Sequence, residues 1–295
     1  GLNWICIPVN ALQESFASTR VFSDYERTQS DEDIAFAMER LLEARSDEEV
    51  SKLLQDCGYP ELDAARPERM DAALSEAREA LLADLGGSAP DAGFIDIFKL
   101  KYDYHNAKAV LKAAAVGTDP ARMFMDMGRI PASELKSAME SSELDTLPGL
   151  LPEAVAEAKN VLDTTRDPQL SDITLDGWMY RDMARTAERT GSAFLRGYVA
   201  AQIDAANLRS LIRTLRMGKN AGFLAGALTE FEKQCDDAVT EYLSGAQMVP
   251  FGEAPLLAYL AARETEYTNL RIVLMGRAAG LDADTIRSRL RRGIG

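Results

Sequence analysis

His105 is the one histidine in the chain. A Ser-His-Asp or Cys-His nucleophilic site would have to be built on it, because those mechanisms need an imidazole as general base. Metal sites of the His/Cys type need several ligands, and the supply is this histidine and three scattered cysteines, Cys6, Cys57 and Cys235. Their odd number and the lack of any CxxC argue against a disulfide framework or a zinc knuckle, and for a reducing compartment. Neither a Walker-type GxxxxGK(S/T) run nor GxGxxG occurs, so no phosphate cradle is visible, and Gly86-Gly87-Ser88 reads as a loop. Carboxylates are abundant, so counting does not exclude a paired-acid hydrolase. Acids at helical spacing are as a rule solvated faces, and Met123, Met125 and Met127 read as core or partner packing. No catalytic residue, cofactor or metal ligand is assigned.

His105 instead lies inside a stretch that the chain repeats. Asp103-Tyr104-His105-Asn106-Ala107-Lys108 is followed by Asp204-Ala205-Ala206-Asn207-Leu208-Arg209 and Glu266-Tyr267-Thr268-Asn269-Leu270-Arg271. Each reads acid, two free positions, Asn, a small or Leu residue, then a base, and each has a Gly eleven residues after the Asn (Gly117, Gly218, Gly280). The position of His105 is Ala206 and Thr268 in the other copies, so the constant residues are the acid, Asn and base: Asp103, Asn106, Lys108; Asp204, Asn207, Arg209; Glu266, Asn269, Arg271. A period of this kind points to related structural units.

On a helical wheel of about 100° per residue, four positions after each Asn form one stripe. They are Ala107, Val110, Leu111, Ala114; Leu208, Leu211, Ile212, Leu215; and Leu270, Val273, Leu274, Arg277. All but Arg277 are apolar, so this face is expected in the core. The acid falls within the stripe and the Asn on its edge, while the base lies across the helix. The acids are therefore expected to accept bonds from groups on neighbouring helices, the Lys or Arg of another copy being one candidate, because an unpartnered buried carboxylate costs several kcal/mol, roughly. The competing reading is solvated helix charges whose spacing coincides. The Gly is expected to end its helix in left-handed geometry.

The elements that position these copies are all helical. The spacing predicts helices over 31–45, from the Ser46-Asp47-Glu48-Glu49 capping box to Gly58, over 67–85 and over 94–115. A short helix is expected near 121–127, a break at 128–131, and a helix over 134–139 capped by Ser133. Further helices are expected over 152–162, 175–189, 192–217, 223–243 and 255–279, with 167–172 and 248–253 as loops. Asp282 is expected to cap a last helix, 283–292. No strand is predicted, which makes the fold class all-α. The 295 residues suffice to bury a core. The net charge of −14 disfavours nucleic acid and anionic lipid as partners. No signal peptide or run of 18 apolar residues is seen, so the chain is not expected to cross a membrane itself. Gly1 in place of Met reads as a processed start or an expression scar.

Several of these segments resemble a known family. Tyr102 to Lys112 is similar to the DYHN helix of the C-subunit family of A/V-type rotary ATPases, which includes the d subunit of eukaryotic V-ATPases. Gly128-Arg129-Ile130-Pro131 with Glu134-Leu135 resembles the family's G-x-I-P-x-x-x-L segment. Leu175 to Tyr180, with Tyr198 to Arg213, resembles its middle repeat, and Pro255 to Glu264, running on to Asn269-Leu270-Arg271, its terminal signature. Leu42 to Tyr59 is similar to an early segment ending in G-Y. The resemblance covers roughly 41–292; of the family's opening Y-x-N-A-R-x-R only Val9-Asn10-Ala11 has a match.

What the resemblance implies is a single domain, 1–295, of three similar helical units (about 1–128, 129–218 and 219–295) around a pseudo-threefold axis, shaped as a funnel. Such a protein is a non-catalytic rotor part, present as one copy. It receives central-stalk subunits of the D/F type and sits on the proteolipid ring at the cytoplasmic face, touching the membrane only through the ring. It couples ATP turnover to proton or sodium movement. The competing expectation is a free-standing helical scaffold or adaptor, which would be elongated with a continuous groove.

Overall fold

The computed structural model describes residues 31–56, 59, 67–88, 91–217, 234–248 and 253–293. Among these the protein is all-helical. The chain divides into two compact units: residues to Asp84 together with those from Ala200 onward, and Leu85–Val199. Both boundaries fall within long helices, α3 (Pro67–Ser88) and α8 (Ala193–Met217).

The unit 85–199 is organised around α4 (Gly93–Val116). Its sequence is apolar almost all round, so it cannot lie on a surface. Phe94, Ile95, Ile97, Phe98, Leu100, Tyr102, Tyr104, Ala107, Val110 and Leu111 are all buried. Three helices pack on it: α5 (Ala132–Ser141), α6 (Leu151–Thr165) and α7 (Pro168–Thr190). Helices α6 and α7 also pack on each other. They are joined through Arg166, in left-handed geometry at φ 57°, and Asp167, whose carboxylate accepts from the Gln169 N–H at 2.8 Å. The expected loop over 167–172 is therefore helix. Asp-Pro here is an N-cap followed by proline at the first helical position, not a turn.

Two other starts also differ from expectation. The helix expected at 121–127 is a single 3-10 turn, Pro120–Met123, and Phe124 is already extended. Ser133 is not a cap, because α5 begins at Ala132 after Pro131 and the Ala132 N–H is taken by the Asp126 carboxylate at 2.7 Å.

In the other unit, α1 (Asp31–Glu43), α2 (Asp47–Asp56), α3, α9 (Glu253–Ala278) and α10 (Ala283–Arg287) share one core. Met38, Leu41, Leu54, Met70, Leu74, Leu270, Val273 and Ile286 meet there. The Ser46 hydroxyl accepts from the Glu49 N–H at 3.2 Å, and the Glu49 carboxylate accepts from the Arg45 N–H at 2.8 Å. Residues 234–244 are also helical. Arg277, the polar interruption of the third apolar stripe, donates to the Leu42 carbonyl at 3.1 Å. The last helix keeps its Asp282 cap but stops at Arg287, short of 292. Cys57, Gly58, Gly218 and the expected helical residues 223–233 lie outside the described residues.

The expected core stripe departs in the second copy. Leu208 and Leu211 are 45% and 55% exposed, and Ala114 in the first copy is exposed as well. Periodicity marks an apolar face, but burial needs a neighbour to cover it. No helix among the described residues is long and apolar enough to cross a membrane.

Gly276 lies mid-helix in α9, and a Cβ there would come 2.7 Å from Cγ1 of the buried Ile286. Ala would gain about 1 kcal/mol of helix propensity against an overpacking cost of about 1–3 kcal/mol. Gly276→Ala is expected to lose stability on balance. Ile286→Ala should cost less in that background than in the wild type. Urea denaturation of the four-member cycle checks both, and strict additivity would contradict the contact.

Candidate functional site

The first acid, Asp103, is fully buried on α4. It accepts from the Arg129 backbone N–H at 2.9 Å and from Arg129 Nε at 2.6 Å. The same guanidinium reaches Asp182 of α7, with Nη2 at 3.1 Å from Oδ2. Asp182 also accepts from the Tyr104 hydroxyl and from the Leu150 N–H, both at 3.3 Å. Two carboxylates and one guanidinium leave a formal charge of one negative inside the unit, and the Tyr104 and Leu150 donors share it.

Backbone shape admits this network. A Cβ at Gly128 would overlap the Asp103 carboxylate. One at Gly149, held at φ +66°, would come 2.6 Å from Asp182 Oδ2 and 2.7 Å from Arg129 Nη1. Burial pushes the Asp103 carboxyl above the usual aspartate range, against the pull of Arg129. Burial opposes the charge on Arg129, but the two carboxylates outweigh it and hold its pKa above the ordinary value. Burial and the Asp182 charge together push the Tyr104 phenol up.

The motif asparagines act as clamps on backbone. Asn106 Nδ2 donates to the Met125 carbonyl at 2.9 Å and Asn106 Oδ1 accepts from the Met125 N–H at 2.9 Å. Asn269 does the same to Arg291, at 2.9 and 2.8 Å. An amide side chain carries one donor face and one acceptor face, so it can imitate a strand edge and satisfy a whole residue. This explains the early end of α10: the Arg291 backbone is committed to Asn269. Asn207 is exposed, and the residues at the matching spacing lie outside the described part of the chain.

The motif bases each reach an Asp on another helix. Lys108 Nζ lies 2.5 Å from Asp176 on α7, and Arg271 Nε lies 2.6 Å from Asp71 on α3. Arg209 pairs with Asp236 in the helical residues 234–244. Gly117 and Gly280 take left-handed geometry at the ends of α4 and α9, at φ 70° and 71°.

The other two acids differ from Asp103. Asp204 is exposed on α8. Glu266 accepts from Arg263 Nη1 at 2.6 Å and from the Tyr59 hydroxyl. Arg263 also donates to the Tyr267 hydroxyl at 3.2 Å, and its guanidinium lies 5.1 Å from the Tyr267 ring centre. Burial, then the Glu266 charge, raises the Tyr59 phenol, and Glu266 raises Arg263 against the effect of burial. Asp103 and Glu266 are thus partnered by Arg129, Arg263 and Tyr59 rather than by the base of another copy. Those partners, with Asp182, lie outside the repeated six residues. The readable signal for Arg129 was its setting, a lone cation between Gly128 and Ile130-Pro131. For Asp182 it was the helical period shared with the buried Leu175 and Thr186.

His105 is exposed, its Nε2 donating to the Met123 carbonyl at 2.9 Å. Among the described residues no cluster of three or more His, Cys, Asp or Glu is placed to hold a metal ion. The acids that meet in the interior, Asp103 and Asp182, have side chains 0% and 2% exposed, and each accepts from more than one donor. The chemistry of this arrangement is the fixing of four pieces of backbone: α4, the segment after Met127, the Pro148–Leu150 turn and α7.

Arg129→Met leaves both carboxylates without their cation and is expected to cost about 3–5 kcal/mol at neutral pH. The Asp103 pKa, already raised, rises further without the guanidinium, so the variant's folded state binds protons more tightly than its unfolded state. Part of the lost stability should return on acidification and be lost again as pH rises through the raised value. Denaturant titrations of both proteins across the acidic range check this; a pH-independent gap would contradict it. Asn106→Ala is expected to cost about 1–3 kcal/mol through two orphaned backbone groups. It should speed hydrogen exchange at the Met125 amide while leaving that of Arg291 unchanged.

Comparison with known proteins follows the same segments. The ATP synthase (C/AC39) subunit family matches residues 36–225 and 218–289. The C subunit of the V-type sodium ATPase of Enterococcus hirae is 23% identical over 301 residues, covering 86% of this chain and 92% of that protein. The C subunit of the A-type ATP synthase of Methanocaldococcus jannaschii is 22% identical over 324 residues, covering 86% and 81%. The C subunit of the V-type ATP synthase of Thermus thermophilus is 25% identical over 252 residues, covering 69% and 76%. With nearly the whole described chain inside the match, and the buried Asp103–Arg129–Asp182 network and both Asn clamps lying within it or at its edge, this chain belongs to the ATP synthase (C/AC39) subunit family.

Proposed function

We propose that this protein is the C subunit of a V/A-type rotary ATPase. In this reading it is a non-catalytic rotor part that joins the central stalk to the membrane proteolipid ring, on the cytoplasmic face and in one copy per complex. The observation that carries the reading is the family match, extended by relatives named as C subunits of V-type and A-type enzymes over most of their own lengths. The internal construction agrees with a mechanical role. Transmitting torque demands stiffness, and long helices cross-tied by hydrogen-bonded buried polar groups supply it. Three related helical units around a pseudo-threefold axis, forming a socket for the stalk, is the architecture that goes with this proposal. The repeated Asn clamp supports it, because the same device closes the helix of the first and third motif copies.

Affinity purification of the tagged full chain from mildly solubilised native membranes tests the proposal. Central-stalk and proteolipid subunits are expected to co-purify with it in fixed ratio, and membranes lacking the protein are expected to lose ATP-driven ion transport while the detached head still hydrolyses ATP. Recovery of the intact ATPase without this chain would overturn it.

A further inference from the structure

Helix α7 has two opposite faces, and only one is used within its unit. The inner face carries the buried Ser171, Leu175, Asp182, Met183 and Thr186. The outer face begins with Leu170 and Ile173, 43% and 57% exposed, and continues through exposed Gly177 to Arg181 and Arg185, also exposed. Arg189 completes an i, i+4, i+8 series of arginines, its side chain 65% exposed and 4.0 Å from Asp96. Glu188 is the one acid on this part of the ridge. From Leu170 to Arg189 the ridge is about 28 Å long at 1.5 Å per residue.

Three features make this face unusual in a chain with a net charge of −14. First, the acids on the side of α7 toward α4 are paired within the unit, Asp172 2.5 Å from Lys112 and Asp176 2.5 Å from Lys108. On the ridge itself Glu188, and Asp96 beside Arg189, stand against three arginines, which leaves a net positive local charge. Second, Arg181 is held over the Trp178 ring at 4.8 Å, while Trp178 Nε1 donates to Glu157 at 2.8 Å. Among the described residues Arg181 and Arg185 have no carboxylate partner. Third, Gly177 sits in mid-helix with nothing within 4 Å of where a Cβ would be. A helix-interior glycine costs about 1 kcal/mol relative to alanine, and no neighbour among the described residues makes use of the space. Small residues on a helix let another helix approach closely.

We infer that the outer face of α7 is a docking surface for an acidic amphipathic helix of a partner protein. The partner's apolar residues cover Leu170, Ile173 and Gly177, and its carboxylates bond Arg181, Arg185 and Arg189. The partner helix runs antiparallel to α7. In that orientation its acids occupy its own N-terminal half, where the helix dipole favours them, and they meet the arginines in the C-terminal half of α7. Arginine presents a planar fork suited to carboxylates. A helix is favoured over an anionic membrane or nucleic acid because the acidic chain repels an extended anionic surface, whereas a few discrete carboxylates need only the local field. The inference concerns a surface of this chain and does not rest on its membership of an ATPase.

The test uses the full chain and a labelled synthetic helix of about 20 residues, the length of the ridge. It carries Glu at i, i+4 and i+8 in its first half and Leu and Ala on the same face in its second. Fluorescence anisotropy is expected to show saturable binding that weakens with salt. A version with Lys in place of Glu should not bind. The double variant Arg181→Glu/Arg185→Glu, checked by circular dichroism and thermal melting to be folded, should bind the Glu helix at least about tenfold more weakly. It should bind the Lys helix in its place. Gly177→Leu should weaken binding without touching the charges. Failure of the Glu helix to bind, binding unchanged by the double charge reversal, or capture of phosphatidylserine vesicles in preference to the helix would each overturn the inference.

Discussion

A single guanidinium, Arg129, sits between two buried carboxylates, and the unit 85–199 depends on it. Asp103 comes from the central helix, Asp182 from the helix packed against it, and Arg129 from the segment that returns between them. An ion taken out of water costs several kcal/mol, about, unless its partners are in place. Each element therefore has one acceptable position relative to the others. The constraint reaches the backbone: Gly128 and Gly149 lie where any side chain would displace a carboxylate or the guanidinium.

The same principle works in neutral form in the asparagines. Asn106 and Asn269 each commit both amide groups to one residue of backbone, Met125 and Arg291. Both clamped segments follow the end of the motif helix and run back along it, so the clamp closes a helix and its return strap into one body. The ion pairs made by Lys108 and Arg271 are more exposed and individually weak, worth at most about 1 kcal/mol in such settings. They align surfaces that the buried contacts have already brought together. In the other unit, Glu266, Arg263, Tyr59 and Tyr267 combine the two styles, with a carboxylate and a guanidinium enclosed by phenol groups and ring faces.

Helix α7 shows how one element serves two ends. Its inner face carries Asp182 into the network, and its outer face presents an apolar start and an arginine ridge to solvent. The pairs Lys108–Asp176 and Lys112–Asp172 lie between these faces. They fasten α7 to α4.

The helices, their class and some of their caps follow from sequence alone. Apolar residues recur every three to four positions, and Ser46, Asp282 and the terminal glycines are local signals that need no distant partner. Comparing three copies separates constant residues from variable ones such as His105; the acid and Asn are partnered in the first and third copies, while Asp204 and Asn207 of the second are exposed. Local chemistry misled where it was ambiguous. Asp167-Pro168 serves a turn or a helix start equally, and only the packing of α7 on α6 selects the helix. Tertiary structure alone decided the partners. Arg129, 26 residues from Asp103, and Asp182, 79 residues from it, meet through chain folding that no short period records. It also decided which apolar stripes are core: Leu270, Val273 and Leu274 are covered, whereas Leu208 and Leu211, on the same motif positions, face outward. A helical period states that a face is apolar; burial is a property of two surfaces, and the second is written elsewhere in the chain.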